Sequence, residues 1–243
     1  MIVIPMAGAS RRFAEAGYGR PKYELPLGER PVFHHAVDSF RAYFDRIPFL
    51  FIVGPVPGAA AFVQTACDEL GVVSAKVVAL DHPTAGQAET VEQGLKLGGG
   101  DPGAAVTIFN IDTFRPGFRF PTDAWSHASD GWLEVFEGEG DNWSYVRPAE
   151  GPEPVALETA EKRPISNLCC TGLYHFARAG DFAAALAKER RAPQAPELYV
   201  APLYNHLIRD GRRIHYRRIA RSEVVFCGTP WEYQSLGGAP PSA

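Results

Sequence analysis

The first ~110 residues alternate short apolar runs with stretches of helical periodicity, and this alternation constrains the fold more than any other feature. The apolar runs are Met1 to Pro5, Phe49 to Val53, Lys76 to Leu80 and Val106 to Asn110. Their length and their β-branched and aromatic residues are typical of strands buried on both faces. Helical spacing follows Pro31, recurs over residues 62–70 and returns from about Gln87 to Leu97. Strands alternating with helices predict an α/β chain with a Rossmann-like, doubly wound and mainly parallel sheet.

The composition changes after Asp112, where Pro, Gly, Trp and Phe become frequent. Strand-like runs there predict an antiparallel C-terminal addition to the sheet, and they cover residues 132–136, 143–147, 155–157 and 168–176. Two further helices are expected at about residues 181–190 and 202–209, followed by a strand at 213–219. Because no linker or internal repeat divides the chain, one domain over residues 1–236 is predicted. The tail, residues 237–243, is rich in Gly and Pro and is predicted to be disordered.

Two chemically suggestive features fall at the carboxyl ends of predicted strands. The first strand enters GASRRF (residues 8–13), and Lys22 follows ten positions after Arg12. Main-chain N–H groups combined with Arg and Lys charges suit a polyphosphate, although a solvated surface loop is the plain alternative. Asp112 ends a buried strand, where a lone carboxylate needs either a cation or the start of a helix as its partner. Since ligands of such sheets bind at this edge, both features should lie together.

Charge and hydropathy patterning exclude several classes of function. The 243 residues include 24 Lys and Arg against 28 Asp and Glu, which gives a net charge of −4 and a pI of about 6.0. That balance gives no general attraction to nucleic acid or to anionic lipid, so neither is expected as a partner. The sequence shows neither a signal peptide nor an apolar segment long enough to span a membrane, and a cytoplasmic protein is predicted.

The four cysteines have neither CxxC spacing nor a His/Cys pattern, and they are Cys67, Cys169, Cys170 and Cys227. Cys169 and Cys170 are adjacent and would point to opposite faces of a strand. We therefore expect all four side chains to be small, buried and apolar in character, without a metal or redox role.

Several short motifs follow one another along the chain. They are MAG (residues 6–8), Arg12, PK (21–22), LGERP (27–31), GQAET (86–90), NID (110–112), EKRP (161–164), TGLYHF (171–176) and Gly-Thr-Pro (228–230). In these motifs the chain resembles, from Met1 to about Leu236, the nucleotidylyltransferases that make activated sugars. That group is the NTP-transferase family, whose fold is glycosyltransferase-A-like. WSY (143–145), PIS (164–166) and YVAPLYN (199–205) further resemble a small branch associated with surface-polysaccharide biosynthesis.

The resemblance implies that residues 1–112 form a nucleotide-binding half. Arg12 would hold the β- and γ-phosphates of a nucleoside triphosphate (NTP), Lys22 would face the transferred phosphoryl group, and Asp112 would bind Mg²⁺. A planar guanidinium suits bidentate contact with pyrophosphate, and a compact ammonium suits the charge on one α-phosphate. The remaining residues implied in nucleotide binding are Ala7, Gly8, Ala9 and Ser10, which would wrap the phosphates, and Gly86 and Gln87, which would contact the nucleobase.

The resemblance implies that residues 113–236 form an acceptor-binding half. Glu161 would hold hydroxyl groups of the second substrate and Lys162 its phosphate. Thr171, Gly172 and Glu197 are predicted to belong to the same site. A solvated charge pair at a strand edge is the alternative for Glu161 and Lys162. Whether the chain forms a homo-oligomer stays open.

The sequence departs from the family pattern at two places. Ser10 stands where many members have a second glycine, which narrows the room for the backbone beside a phosphate. Larger members place a second metal-binding aspartate two residues before Gly-Thr-Pro, where this chain has Phe226, and neither Phe226 nor Cys227 binds Mg²⁺ well. Either Glu223 replaces that ligand, or Asp112 suffices together with phosphate oxygens and water.

The expected activity is transfer of a nucleoside monophosphate from an NTP to a phosphorylated acceptor, with release of pyrophosphate and with Mg²⁺ as cofactor. A sugar phosphate is the first expectation for the acceptor. No covalent intermediate is needed, because the acceptor phosphate is itself a nucleophile that the protein has only to position. Three alternatives remain: a metal-dependent glycosyltransferase of the same fold, a cytidylyltransferase acting on a non-sugar phosphate, and a nucleotide-binding protein without catalysis.

Overall fold

A central nine-stranded sheet organises residues 1–241, the part of the chain that the computed structural model describes. The strands are β1 (Ile2–Met6), β2 (Pro26–Leu27), β3 (Arg30–Pro31), β4 (Phe49–Val53), β5 (Ala75–Ala79), β6 (Val106–Phe109), β7 (Thr113–Phe114), β8 (Gly131–Glu137), β9 (Ser144–Pro148), β10 (Ala156–Glu161), β11 (Leu168–Phe176), β12 (Ile214–Ile219) and β13 (Val225–Phe226). The helices are α1 (Arg11–Glu15), α2 (Val32–Asp38), α3 (Ala59–Leu70), α4 (Gln87–Gly98), α5 (Ala124–His127), α6 (Ala179–Arg191), α7 (Leu203–Arg209) and α8 (Pro230–Ser235). Three short 3₁₀ helices cover Lys22–Glu24, Arg41–Tyr43 and Arg221–Glu223. Within residues 1–241, none of the helices combines the length and the apolarity that crossing a membrane requires.

The strand order is β10-β9-β11-β6-β1-β4-β5, with β8 beside β11 and β12 beside β8. β1 pairs in parallel with β4 and β6, and β4 pairs in parallel with β5. β11 runs antiparallel to β6, β8 and β9. The predicted fold, a doubly wound parallel sheet with an antiparallel addition, is therefore confirmed. β12 is an exception in the second half, because it runs parallel to β8; the segment from β8 to β12, which includes α6 and α7, is long enough for a parallel return.

Side chains alternate between two apolar layers along the buried strands. In β1, Ile2 and Val3 face opposite layers, and in β4 Phe51 and Leu50 do the same. Every residue of β1 and β4 is buried, so both faces of the sheet are covered. This arrangement explains the continuous apolar runs in the sequence, since a strand covered on both faces has no polar side to alternate with.

The helix that follows Pro31 is shorter than its apolar spacing predicts. It ends at Asp38 instead of continuing as an α-helix toward residue 44. Phe40 leaves the helical conformation with a φ of −102°. Its ring then packs edge-on against Phe109 and Phe118, with centroids 4.9 and 5.0 Å apart. Burial of this aromatic cluster therefore outweighs continuation of the helix.

Two further local differences concern the predicted functional segments. Arg11 and Arg12 begin helix α1 instead of lying in a plain loop. Strand β10 extends to Glu161, beyond the predicted residues 155–157. The side chain of Asn205 pairs with the backbone at the outer edge of β10. Its Oδ1 accepts the Thr159 N–H at 2.8 Å, and its Nδ2 donates to the Thr159 carbonyl at 2.7 Å. These bonds satisfy backbone groups that an edge strand otherwise leaves free.

The described part of the tail lies against the body of the protein. The Tyr18 hydroxyl donates to the carbonyl of Ala239 at 3.1 Å, and the Gly238 N–H donates to the carbonyl of Tyr233 at 3.0 Å. These contacts give the backbone of residues 237–241 partners in the body of the protein, whereas the sequence predicts disorder there. The last two residues of that prediction, Ser242 and Ala243, lie outside the described residues.

All four cysteines are buried and free of disulfide bonds. Cys169 and Cys170 belong to different apolar clusters, as expected for neighbours on a strand. Burial raises the pKa of the Cys67 thiol to about 12 and that of Cys169 to about 11. The interpretation of the cysteines as buried apolar side chains is confirmed.

Candidate active site

The carboxyl edge of the parallel sheet brings together two charged side chains that are 90 residues apart in the sequence. Lys22 begins a 3₁₀ helix directly after Pro21, and Asp112 lies between β6 and β7. The Lys22 Nζ is 2.5 Å from the Asp112 Oδ2, and the two side chains are 21% and 22% exposed. A ligand can therefore reach the pair. The alternative that Asp112 caps a helix is wrong, because strand β7 follows it and its carboxylate contacts Lys22.

The loop after β1 presents backbone groups and two arginines. Residues 7–9 are half-buried to exposed, and Ser10 has a φ of +47°, which glycine adopts easily and other residues rarely. The Ser10 Oγ accepts the backbone N–H of Lys22 at 3.4 Å, which connects the loop with the Lys22 turn. Arg11 and Arg12 are exposed, and no carboxylate in residues 1–241 forms an ion pair with either. Their positive charge is therefore available to an anion.

The predicted nucleobase contacts lie beside Asp112. Gly86 precedes helix α4, and Gln87 is its first residue. The Gln87 Nε2 donates to the Asn110 Oδ1 at 2.6 Å. Because Asn110 comes two residues before Asp112, this bond holds the start of α4 against the carboxyl end of β6. The side-chain carbonyl oxygen of Gln87 can therefore accept a hydrogen bond from a ligand.

Glu232, which the motif pattern did not single out, organises the turn next to Asp112. Its Oε2 accepts the backbone N–H groups of Gly228 and Thr229, both at 2.9 Å. The Thr229 hydroxyl accepts the N–H of Glu232 in return, at 3.2 Å. A Cβ atom at Gly228 would lie 2.9 Å from the Asp112 Oδ2, so this turn passes directly beside the carboxylate. The sequence Thr-Pro-Trp-Glu (229–232) is a capping-box pattern, from which the role of Glu232 in this turn could have been predicted.

A second carboxylate ligand is not found where the family pattern would place it. The Phe226 ring packs on Trp143 with centroids 4.6 Å apart, and burial raises the pKa of the Cys227 thiol to about 12. Glu223 accepts a backbone N–H within its own turn, so the structure does not support it as the replacement. Within residues 1–241, no three His, Cys, Asp or Glu side chains form a metal-binding group. Asp112 alone fits Mg²⁺ if phosphate oxygens and water complete the shell, as this ion commonly requires.

Glu161 and Lys162 lie together at the end of β10. The Glu161 carboxylate accepts a hydrogen bond from the Ser144 hydroxyl. Burial raises the pKa of Glu161, whereas this hydrogen bond and the positive charge of Lys162 lower it by less. Lys162 has a strained φ of +52°, and its Nζ donates to the Tyr199 hydroxyl at 2.8 Å. This bond raises the pKa of Lys162, which keeps the ammonium charged. Glu197 is exposed, and its negative charge contributes to the raised pKa of Glu161. Glu161 is thus held by a directional bond, and Lys162, although exposed, is fixed through Tyr199.

Thr171 and Gly172 of β11 are engaged inside the fold. The Thr171 hydroxyl donates to the buried Glu134 carboxylate at 3.2 Å, which also accepts the Nε of the buried Arg115 at 2.6 Å. Gly172 has a φ of +93°, and a Cβ there would lie 2.5 Å from the Asn110 Nδ2. Because Gly172 has no Cβ, the Asn110 side chain fits between Gly172 of the predicted acceptor site and Gln87 of the predicted nucleobase site. The Arg115–Glu134 pair had no recognisable pattern in the sequence.

A doubly wound sheet carries Arg12 and the Lys22–Asp112 pair near its carboxyl edge, and an antiparallel addition carries Glu161 and Lys162. This architecture is glycosyltransferase-A-like, and the class of protein that it represents here is a nucleotidyltransferase. No protein-family model matches the chain, and no curated protein matches it significantly. The crystal structure of the nucleoside-diphosphate-sugar pyrophosphorylase from Vibrio cholerae RC9 is 49% identical, covers 97% of this chain and 99% of that chain, and superposes with a TM-score of 0.92. The chain belongs to the nucleoside-diphosphate-sugar pyrophosphorylase family of nucleotidyltransferases.

More distant solved structures share the architecture. The inositol-1-phosphate CTP transferase from T. maritima is 12% identical, with 97% of this chain and 94% of that chain covered and a TM-score of 0.74. A UDP-glucose pyrophosphorylase from Acinetobacter baumannii is 15% identical, with coverages of 97% and 90% and a TM-score of 0.71. At these identities the similarity establishes the common fold alone.

Proposed function

We propose that this enzyme transfers a nucleoside monophosphate from an NTP to a phosphorylated acceptor and releases pyrophosphate. An oxygen of the acceptor phosphate attacks the α-phosphorus and forms the new P–O bond. The bond from the α-phosphorus to the bridging oxygen breaks, and pyrophosphate leaves with the electron pair. The observation that carries the proposal is the Lys22–Asp112 pair at the sheet edge, joined to the acceptor half through Asn110 and Gly172.

The nucleotide half supplies charge and backbone donors. Arg12 is free of ion pairs with the described residues and would hold the β- and γ-phosphates, because a guanidinium makes bidentate contacts with phosphate. Lys22 would stabilise the charge that develops at the α-phosphate. A triphosphate carries more negative charge than one carboxylate and would compete with Asp112 for the Lys22 ammonium. Residues 7–10 would approach the phosphates through their backbone.

Asp112 would hold Mg²⁺ together with phosphate oxygens and water. When bound, the ion would neutralise phosphate charge during transfer. Glu232 would act by fixing the turn at Gly228, so that the Asp112 carboxylate keeps its position beside the nucleotide. Gln87 would contact the nucleobase through its free carbonyl oxygen, with Asn110 fixing the orientation of its amide.

The acceptor half suits a polyhydroxylated phosphate. Glu161 would accept hydrogen bonds from hydroxyl groups, and Lys162 would pair with the phosphate. The solved relatives bear names of enzymes for sugar phosphates and for inositol 1-phosphate, so both acceptor classes belong to the proposal, and CTP stays a candidate nucleotide. A cytoplasmic location and a supply of activated sugars for surface polysaccharide are also part of it.

A pyrophosphate-release screen tests the proposed function. CTP, UTP, dTTP, ATP and GTP are combined with glucose 1-phosphate, inositol 1-phosphate and a phosphorylated amino alcohol, and Lys22→Ala is the matched control. We expect one NTP–acceptor pair to give pyrophosphate and the coupled nucleotide in equal amounts. Release of a nucleoside diphosphate from a nucleotide sugar instead would favour a glycosyltransferase, for which Arg12 and Lys22 have no clear role. Tight NTP binding without turnover for every pair would favour a binding protein.

A further inference from the structure

One segment of the chain touches both proposed substrate sites. Residues 192–202, which we call the connecting segment, link α6 to α7. The Leu198 N–H donates to the carbonyl of Ala85 at 3.0 Å, and the Leu198 carbonyl accepts the N–H of Ala88 at 2.8 Å. These two bonds flank Gly86 and Gln87 of the proposed nucleobase site. The next residue, Tyr199, holds the Lys162 ammonium of the acceptor site at 2.8 Å.

Gly86 makes this contact possible. A Cβ atom at position 86 would lie 2.6 Å from both the N and the O atoms of Leu198 and 2.9 Å from its carbonyl carbon. Those atoms are backbone and cannot turn aside as a flexible side chain would. Any other residue at position 86 therefore pushes the connecting segment away from the start of α4. The φ of +152° at Gly86 adds a second reason for glycine at this position.

The ends of the connecting segment are fixed, so a displacement at Leu198 has to be absorbed nearby. Gln194 donates its backbone N–H and its Nε2 to the two oxygens of the buried Glu189, both at 2.6 Å. At the other end, the carbonyl of Ala201 accepts the Thr159 hydroxyl at 2.6 Å. Between these anchors, Tyr199 follows Leu198 directly and must move with it.

We propose that Gly86 is a positioning residue for the acceptor site, acting through Leu198 and Tyr199, and that this contact couples nucleotide binding to acceptor binding. The inference rests on the proposed function, because both sites are those of the transfer reaction. Because Leu198 is bonded to both Ala85 and Ala88, a nucleotide that restrains residues 85–88 also restrains the connecting segment, and thereby Tyr199 against Lys162. By linkage, the acceptor then strengthens nucleotide binding by the same factor.

Binding calorimetry on the full chain tests this coupling. The probes are the acceptor phosphate preferred in the pyrophosphate screen and the α,β-methylene analogue of the preferred NTP, which cannot release pyrophosphate. In the wild type, we expect the analogue to tighten acceptor binding by about tenfold, within the usual range of coupling between sites. Gly86→Ala and Tyr199→Phe should each bring this factor close to one. The double variant should weaken acceptor binding no further than the worse single variant, because both break the same connection.

Gly58→Ala is the matched control. Gly58 also precedes a helix with a positive φ, of +81°, but a Cβ there meets no atom within 4 Å, so the coupling should stay at the wild-type value. If Gly86→Ala does not fold, Tyr199→Phe decides alone, since it keeps the ring and removes only the hydroxyl. An active wild type without coupling, or variants that keep it, would overturn the inference and leave the proposed function intact. A wild type without turnover in the whole screen would contradict both.

Discussion

The charged groups of the proposed nucleotide half (residues 1–112) differ from those of the proposed acceptor half (residues 113–236) in how they are partnered. In the nucleotide half, Arg11 and Arg12 are exposed, and neither forms an ion pair with the residues that the structure describes. In the acceptor half, Glu161 accepts the Ser144 hydroxyl, and Lys162 is fixed by the hydroxyl of its neighbour Tyr199. The first half therefore offers uncompensated positive charge, and the second offers a prearranged set of directional donors and acceptors.

This difference indicates how the two substrates are recognised. A triphosphate carries several negative charges in any NTP, so free arginines give affinity with little selectivity. An acceptor bound as proposed would have to match the hydrogen-bond positions of Glu161 and Lys162, because a mismatch would leave polar groups without partners. We infer that affinity for the nucleotide comes mainly from charge, and that selection of the acceptor comes mainly from geometry. The Lys22–Asp112 pair would serve both substrates in the proposed reaction, because the acceptor phosphate has to reach the α-phosphate there.

The largest effect is expected from Lys22→Ala. Because the ammonium is needed most when charge develops at the α-phosphorus, kcat should fall about 10³-fold, while NTP affinity weakens much less. Steady-state kinetics together with NTP binding measure the two effects separately. Lys22→Arg is the control that keeps the charge without the compact geometry, and it should restore little activity. Small and equal losses in kcat and affinity would contradict the role of Lys22.

Removal of one arginine tests the contribution of free charge. We expect Arg12→Ala to weaken NTP binding by about ten- to a hundredfold, as for loss of a charge-assisted hydrogen bond, because the triphosphate is already held before transfer. Acceptor KM should change little. Arg11→Ala is the matched control, since it removes the same charge from the neighbouring position and should have the smaller effect. Unchanged nucleotide affinity in Arg12→Ala would be evidence against free charge as the source of binding.

The acceptor half is tested by pH. Burial raises the pKa of Glu161 above its ordinary value of 4.5, so the carboxylate becomes protonated at a higher pH than an exposed glutamate would. As pH falls through that raised value, the site loses its negative acceptor, and the acceptor KM should rise. Glu161→Gln should have an acceptor KM about tenfold higher at neutral pH, as expected for one lost hydrogen bond to a charged group, and should show a smaller acid-side rise, which protonation of the acceptor phosphate itself causes. A wild-type KM that stays constant down to pH 4.5 would argue against the assignment.

The smallest effect is expected at the turn beside Asp112. Thr229→Ala removes the helix cap of α8 and should lower the free energy of unfolding by about 1 kcal/mol. Thr229→Ser retains the hydroxyl and should be nearly neutral. Chemical denaturation measures both variants. Equal stability of the two would mean that the capping contact does not hold the turn, and that Glu232 acts without it.

The fold was predictable because it follows from patterns that are local in the sequence. Strands buried on both faces produce the continuous runs at Ile2 to Met6 and Phe49 to Val53, and these can be recognised without knowing their neighbours. The direction of β12 was not predictable, because it depends on which strand it meets after two helices. The contact between Tyr18 and the tail was not predictable either, since the two are more than 200 residues apart in the sequence.

The candidate site was predictable only where sheet topology or a motif indicated it. Lys22 and Asp112 follow strands of one parallel sheet, and the rule that strand ends share an edge brings them together. The Arg115–Glu134 pair and the Leu198 contact with the start of α4 had no such rule. Their partners are selected by three-dimensional packing, which leaves no fixed spacing in the sequence.

The Asp112→Asn variant is the most direct test of whether the reaction takes place at the Lys22–Asp112 pair. The amide is nearly isosteric, and an ion pair that solvent can reach contributes little to stability, so the melting temperature should stay close to that of the wild type. Mg²⁺-dependent pyrophosphate release should fall about 10³-fold, because a neutral amide is a poor Mg²⁺ ligand. Stability and turnover across a Mg²⁺ titration are measured on the same preparation. A folded Asp112→Asn protein that remains active and responsive to Mg²⁺ would contradict the account.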